Sequence, residues 1–141
     1  MMKKEQKELM DKVLLQEAKH AREYAYAPYS GFQVGAALRT KSGKIYRGCN
    51  IENAAFSATN CAERTAIFKA ISEGDTEIDA IAIVSSAEDV TYPCGVCRQV
   101  MSELMPDATI YFEDAKGNTV VSSVKEVMPY MFDNAIPNKK K

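Results

Sequence analysis

The sequence lacks an excess of charge of either sign: 18 lysines and arginines stand against 19 aspartates and glutamates, a net charge of −1. Binding along a polynucleotide backbone needs a broad basic surface. The only dense basic run is Lys139-Lys140-Lys141, which reads as a solvated tail, so no polynucleotide partner is expected. Long apolar runs are missing too, and none approaches the roughly 20 residues of a membrane-spanning helix. The start, Met1 to Glu8, turns polar at once and has no apolar centre of a signal peptide. Such a chain is expected in the cytoplasm, where thiols stay reduced, so its four cysteines read as ligands or packing groups rather than disulfides. Histidine occurs once, at His20.

What is present is ordinary for a globular enzyme: 141 residues, 46% apolar and 26% charged. One domain is expected over 1–141, with its core at about 9–133 and a basic tail at 134–141. Leu9, Val13, Ala18, Ala21 and Ala25 recur at three-to-five spacing and predict a first helix over Glu5 to Tyr26, its apolar stripe in the core. Strands are predicted at 32–38 and 44–49 around the turn pair Ser42-Gly43. A second helix runs from Cys61 to Glu73 and stops at Gly74. The apolar run Ile78 to Val84 reads as a central strand covered on both faces. A helix over Cys94 to Met105, strands at 109–112 and 119–121, and a capping box at Ser123-Val124-Lys125-Glu126 complete the order α-β-β-α-β-α-β-β-α. Such alternation predicts a three-layer α/β/α sandwich around a mixed sheet of about five strands.

Cys94-Gly95-Val96-Cys97 sets two thiols about 300° apart around a helix axis, and so nearly aligned. Alone, the pair could equally be a redox dithiol or half of a structural zinc knuckle. Cys61-Ala62-Glu63 adds a third thiol and an acid at another predicted helix start. There the positive end of the helix dipole favours the thiolate that zinc requires. Residues two apart on a helix diverge by about 200°, so Cys61 and Glu63 could not both ligate one ion from regular helical positions. Cys61 is therefore placed at the cap and Glu63 beside the metal, either as a proton carrier or as a dipole-favoured acid.

Three protein ligands leave the open position of a catalytic zinc, whereas a fourth would close a structural site. Cys49 and His20 are the two candidates for a fourth, against readings as a small buried group and an ordinary helix histidine. Three thiolates on Zn²⁺ carry a net −1, which raises the pKa of bound water and calls for a compensating charge. Arg64 is favoured to hydrogen-bond the sulfurs, while for Arg98 that role and surface solvation stand level.

Cys61-Ala62-Glu63 with Pro93-Cys94-Gly95-Val96-Cys97-Arg98-Gln99 resembles the zinc-dependent cytidine deaminases of the small homotetrameric type, whose zinc-site signature is a general one for base deaminases. Tyr26-Ala27-Pro28-Tyr29-Ser30, Phe32-Gln33-Val34-Gly35-Ala36-Ala37 and Gly48-Cys49-Asn50-Ile51-Glu52-Asn53-Ala54 agree with that family, and the likeness spans about Leu9 to Phe132. The resemblance implies one zinc per subunit on Cys61, Cys94 and Cys97, and Glu63 as the proton shuttle. It implies a nucleoside bound by Phe32, Asn50, Glu52 and Ala54, with Asn50 and Glu52 on the ribose hydroxyls. Phe132 either reaches a neighbouring subunit's site in a homotetramer or packs on its own core. Two departures stand out: Gly31, where a larger polar residue is common, and Phe56, where many relatives carry tyrosine.

The implied reaction is hydrolytic deamination of cytidine, and of 2′-deoxycytidine, to the uracil nucleoside and ammonia, as in pyrimidine salvage. Deamination of a cytosine-containing antibiotic on the same architecture is the nearest competitor. A purely structural zinc site in a binding domain is the competitor from another class.

Overall fold

A computed structural model of the chain describes residues 3–132, and the basic tail at 134–141 lies outside the described residues. Its elements are α1 (Lys4–Arg22), β1 (Val34–Thr40), β2 (Ile45–Cys49), a 3₁₀ turn (Phe56–Ala58), α2 (Ala62–Ser72), β3 (Ile78–Ser85), α3 (Gly95–Leu104), β4 (Thr109–Glu113), β5 (Thr119–Ser123) and α4 (Val124–Val127). They form one mixed five-stranded sheet in the order β2-β1-β3-β4-β5. Only the β3–β4 pair is parallel, joined through α3. The element order and the central place of β3 agree with the sequence patterns.

Alternation along β1 and β3 divides the interior into two layers. Val34, Ala36, Leu38, Ile81 and Ile83 face α2 and α3, meeting Ala62, Ala66, Ile67, Ala70, Met101 and Met105. Ala37, Ala80, Ala82, Val84 and Tyr111 face α1 and meet Leu14, Leu15 and Ala18. Two glycines set how closely the helices approach. A Cβ on Gly35 would lie 2.0 Å from the Ala18 carbonyl oxygen of α1, and one on Gly48 would lie 2.4 Å from the Ala62 carbonyl oxygen of α2. Each helix therefore rests directly on strand backbone.

The expected stripe of α1 needs correcting. Leu9 and Val13 are 63% and 46% exposed, while Leu14, Leu15, Ala18 and Ala21 are buried. At 100° per residue, position 13 falls about 80° outside the arc that 14, 15, 18 and 21 present to the sheet, and position 9 lies opposite its centre. Spacing alone does not say which side of the helix is covered. The helix also ends at Arg22 rather than Tyr26, because Tyr26 leaves it to bond the Asn50 carbonyl at 2.9 Å in a bridge beside Ile51. That places Ala25 outside the helix.

β1 begins where β2 and β3 end, since Gly35 pairs with both Cys49 and Val84. The entry to β1, the exit from β2 and the exit from β3 thus share one end of the sheet. From that end two loops lead to the starts of α2 and α3. Among the described residues, no helix is long and apolar enough to cross a membrane.

Candidate active site

Cys61 and Cys94 occupy the N-cap positions of α2 and α3, both with extended backbone (ψ 157° and 168°), and neither uses its side chain to cap its own helix. Their sulfurs instead face each other, 3.7 Å apart. Cys97, in the first turn of α3, completes a set of three sulfurs that all lie within 4.8 Å of one another. Tetrahedral zinc with Zn–S bonds of about 2.3 Å requires sulfur–sulfur edges of about 3.8 Å, so the three sulfurs fit that ion. Among the described residues this ligand group contains neither Cys49, half-buried at the end of β2, nor His20, which sits on α1 beside Glu23.

A hydrogen bond between Cys61 and Cys97 shifts the two thiols in opposite directions. The Cys97 thiol, donating to Cys61, brings Cys61 down to about 5, with the Arg64 guanidinium and Cys94 helping and burial opposing. The same bond, together with burial, pushes Cys97 up. The Arg64 guanidinium donates to Cys61 Sγ at 3.3 Å, from the same helix.

Glu63 is 5% exposed and stands in the first turn of α2, two residues after Cys61, without joining the ligand set. Burial pushes its carboxyl up to about 7, with the Cys61 charge adding to the rise and Arg64 opposing it. A buried carboxyl near neutrality can both take and give a proton, which is what general acid–base work requires.

Arg98 does not touch sulfur. Its Nε donates to the Pro93 carbonyl at 2.7 Å and a terminal nitrogen to the Val127 carbonyl at 3.0 Å, so it ties the loop before Cys94 to the end of α4. Neither of the two roles open to it from sequence describes that clamp. Sequence reading also missed Asn60 and Thr65. Asn60 Nδ2 donates to Thr65 Oγ1, which donates in turn to the Cys61 carbonyl, both at 3.0 Å, locking the cap that aims the sulfur. A Thr four residues after a cap carries that signal, since its hydroxyl readily bonds a carbonyl one turn back.

Of the residues expected to bind a nucleoside, Asn50 and Phe32 lie at the same sheet end, beside the exit of β2 and the entry of β1. Asn50 is buried and works as a splice: its Oδ1 accepts from Val34 N at 2.9 Å and its Nδ2 donates to the Phe32 carbonyl at 2.7 Å. This bonding also starts β1 at Val34, two residues later than predicted. Glu52 accepts from Tyr29 N at 2.9 Å, Ser30 N at 3.1 Å and the Ser30 hydroxyl. It lines an open cavity of about 390 Å³ with Tyr29, Ser30, Asn53, Phe56 and Thr59. Phe32 is 37% exposed, and Ala54 is also exposed. Gly31 has φ +71°, a conformation that suits glycine, so the residue in this unusual place is explained by its backbone. Phe56 is 83% exposed. Phe132 is 66% exposed, and its carbonyl accepts from Gln99 Nε2 at 3.0 Å.

A mixed sheet between helical layers, two helix caps meeting in three sulfurs, and a buried acid beside them define a zinc-binding deaminase of the α/β/α type. The sequence matches the family described as cytidine and deoxycytidylate deaminase zinc-binding region over residues 8–113, and the chain belongs to that family. It is 52% identical over 121 residues to a cytidine deaminase of Halalkalibacterium halodurans, covering 85% of this chain and 92% of that one. The crystal structure of cytidine deaminase from Burkholderia pseudomallei superposes with a TM-score of 0.83 at 47% identity, covering 86% of this chain and 98% of that one. A blasticidin-S deaminase of Bacillus cereus is 36% identical over 107 residues, covering 70% of this chain and 76% of that one.

Proposed function

We propose that this chain converts cytidine to uridine and ammonia by hydrolysis, with Glu63 as the proton shuttle. The observation that carries the reading is the buried Glu63 carboxyl, raised to about 7, beside three sulfurs spaced for zinc. Cys61, Cys94 and Cys97 would hold the zinc, which when bound would supply Lewis-acid activation of a water molecule. Glu63 takes a proton from that water as its oxygen bonds to C4 of the cytosine ring, and delivers it to N3. Glu63 then moves the remaining hydroxyl proton to the amino group, which leaves as ammonia while the C4 carbonyl forms. Arg64 offsets the thiolate charge throughout, and Glu63, protonated and deprotonated by turns, needs no bulk water to act.

Phe32 and Ala54 wall the nucleoside, Asn50 keeps one amide N–H beyond its two backbone bonds, and Glu52, already accepting three bonds, keeps its remaining lone pair for a sugar hydroxyl. 2′-Deoxycytidine is a second substrate on the same reading, and pyrimidine salvage in the cytoplasm is the setting that such substrates imply. The chain works as a single domain, as a homotetramer with one zinc per subunit, in which Phe132 of one copy packs at the site of the next. The exposure of the Phe132 ring supports that role over a place in its own core.

Ultraviolet-monitored conversion of cytidine with metal analysis tests the reading directly. The purified chain is expected to hold one zinc and release ammonia. Glu63→Gln is expected to keep fold and zinc and lose at least the 10²- to 10⁴-fold typical of a positioned acid/base. Undiminished turnover in Glu63→Gln would remove Glu63 from the reaction. The similarity to a blasticidin-S deaminase favours a second reading, in which a cytosine-bearing antibiotic is the preferred substrate. Competition between blasticidin S and cytidine in the ammonia assay decides between them.

A further inference from the structure

The Tyr26–Phe32 loop and the 50–53 segment are zipped together by backbone bonds, Tyr26 N to the Asn50 carbonyl at 2.9 Å and Glu52 N to the Tyr26 carbonyl at 2.8 Å. One side-chain hydroxyl bridges the same two segments. Ser30 Oγ donates to Glu52 Oε2 and accepts from Phe32 N at 3.0 Å. Both Glu52 oxygens are thus oriented by one tight turn, since Tyr29 N and Ser30 N converge on Oε1. The turn depends on Gly31, whose φ of +71° brings Phe32 back over Ser30 while Gly31 N closes on the Ala27 carbonyl at 2.9 Å.

We propose that Ser30 is a positioning residue for nucleoside binding, its one hydroxyl setting the sugar-facing carboxylate of Glu52 and the base-facing ring of Phe32 in register with each other. The inference rests on the cytidine-binding roles given above to Glu52 and Phe32. Its physical basis is that a carboxylate on an open surface has several rotamers of similar energy, and a hydrogen bond to a charged acceptor selects one. The same bond also favours the ionised acid: the Ser30 hydroxyl, with the Ser30 and Tyr29 amides, holds the Glu52 carboxyl below its usual range against the opposing effect of burial. An ionised, oriented Glu52 accepts from a sugar hydroxyl without first being freed or turned. Fixing Phe32 through its own amide sets the distance between base and sugar subsites, a length that a nucleoside presents and a free base does not.

Chemistry at C4 does not involve Ser30, so the proposal predicts a loss that falls on binding. In the zinc-loaded enzyme, Ser30→Ala is expected to raise KM for cytidine roughly 10-fold or more, the usual weight of a bond to a charged group, with kcat and zinc content little changed. Ser30→Thr, which keeps the hydroxyl, is expected to restore most of the loss. With 2′,3′-dideoxycytidine, which presents no ring hydroxyls to Glu52, the penalty of Ser30→Ala shrinks severalfold. The Glu52 carboxyl, followed by carbon NMR, should titrate at higher pH in Ser30→Ala than in the parent. A Ser30→Ala enzyme whose KM stays within about twofold of the parent, or whose loss falls on kcat and zinc instead, would overturn the proposal. If the parent released no ammonia from cytidine, the functional reading would fail by itself. The carboxyl titration would still decide whether Ser30 holds Glu52, an unshifted titration refuting it.

Discussion

A guanidinium nitrogen of Arg64 lies 3.3 Å from the sulfur of Cys61, which stands three residues before it at the cap of the same helix. Under the proposed function the pairing answers a charge problem, because three thiolates on one divalent ion would leave a net negative site around a carboxylate that must also ionise.

Arg64→Gln removes the positive charge and leaves the negative one. Activity or metal affinity is expected to fall about 10- to 100-fold, as for other groups that support metal ligands. Glu63 then faces more uncompensated negative charge, which raises its pKa. The acid limb of the kcat/KM profile therefore moves to higher pH. Arg64→Lys keeps the charge without the directional contact and is expected to fall between the two. Steady-state kinetics from pH 5 to 9, with zinc measured in each variant, checks all three.

Gly48→Ala and Gly35→Ala separate support of the fold from support of the site. Both introduce a Cβ closer than 3 Å to helix backbone, on α2 and α1 respectively. Each is expected to cost about 1–3 kcal/mol, the usual effect of overpacking, and to lower Tm. Only Gly48→Ala displaces the start of α2, where Cys61 and Glu63 sit. It alone should weaken zinc in a chelator competition, and equal zinc affinity in the two variants would contradict this division.

Asp75 sets an acid-side stability limit far from the site. Its Oδ2 accepts from Thr40 Oγ1 at 2.8 Å, Ser42 Oγ at 2.9 Å and Tyr46 OH at 3.1 Å, tying the β1–β2 hairpin to the turn after α2. The Thr40 hydroxyl, with those of Ser42 and Tyr46, holds its carboxyl below the usual range, burial opposing. A depressed acid stabilises the fold above its unfolded pKa of about 3.9 and loses that contribution as pH falls through the folded value. Asp75→Asn should therefore lower Tm at pH 7 and flatten the decline of Tm below about pH 4. Thermal melts across that range test it.

Most of the layer order could be read from the chain, because hydrophobic period and turn residues are local properties. Ser42-Gly43 makes a turn in any context, and the run from Ile78 to Val84 has no polar face to leave in water, so β3 had to lie at the centre of the sheet. The α1 stripe is legible only in part: Ala18 and Ala21 are buried as expected, but Leu9 and Val13 are as apolar as Leu14 and Leu15, and only the packing of Gly35 on Ala18 selects the arc that is buried.

The meeting of Cys61, Cys94 and Cys97, with Glu63 in the adjoining first turn, is legible for a similar reason. Caps and first turns have fixed directions, so the spacing within each motif determines which side chains can share an ion. What the chain alone left undecided was every partner separated by a fold-level distance. Arg98 binds two carbonyls because α4 returns to the loop before Cys94, and Asn50 is spent on the Phe32 and Val34 backbone because β1 and β2 start and end together. Ser30 meets Glu52 only where two loops are zipped side by side. The sequence by itself determined which residues could do the chemistry. The tertiary structure decided which of them are free to do it and which are held by the backbone around them, because a hydrogen bond is assigned by where its partner lies and not by residue type.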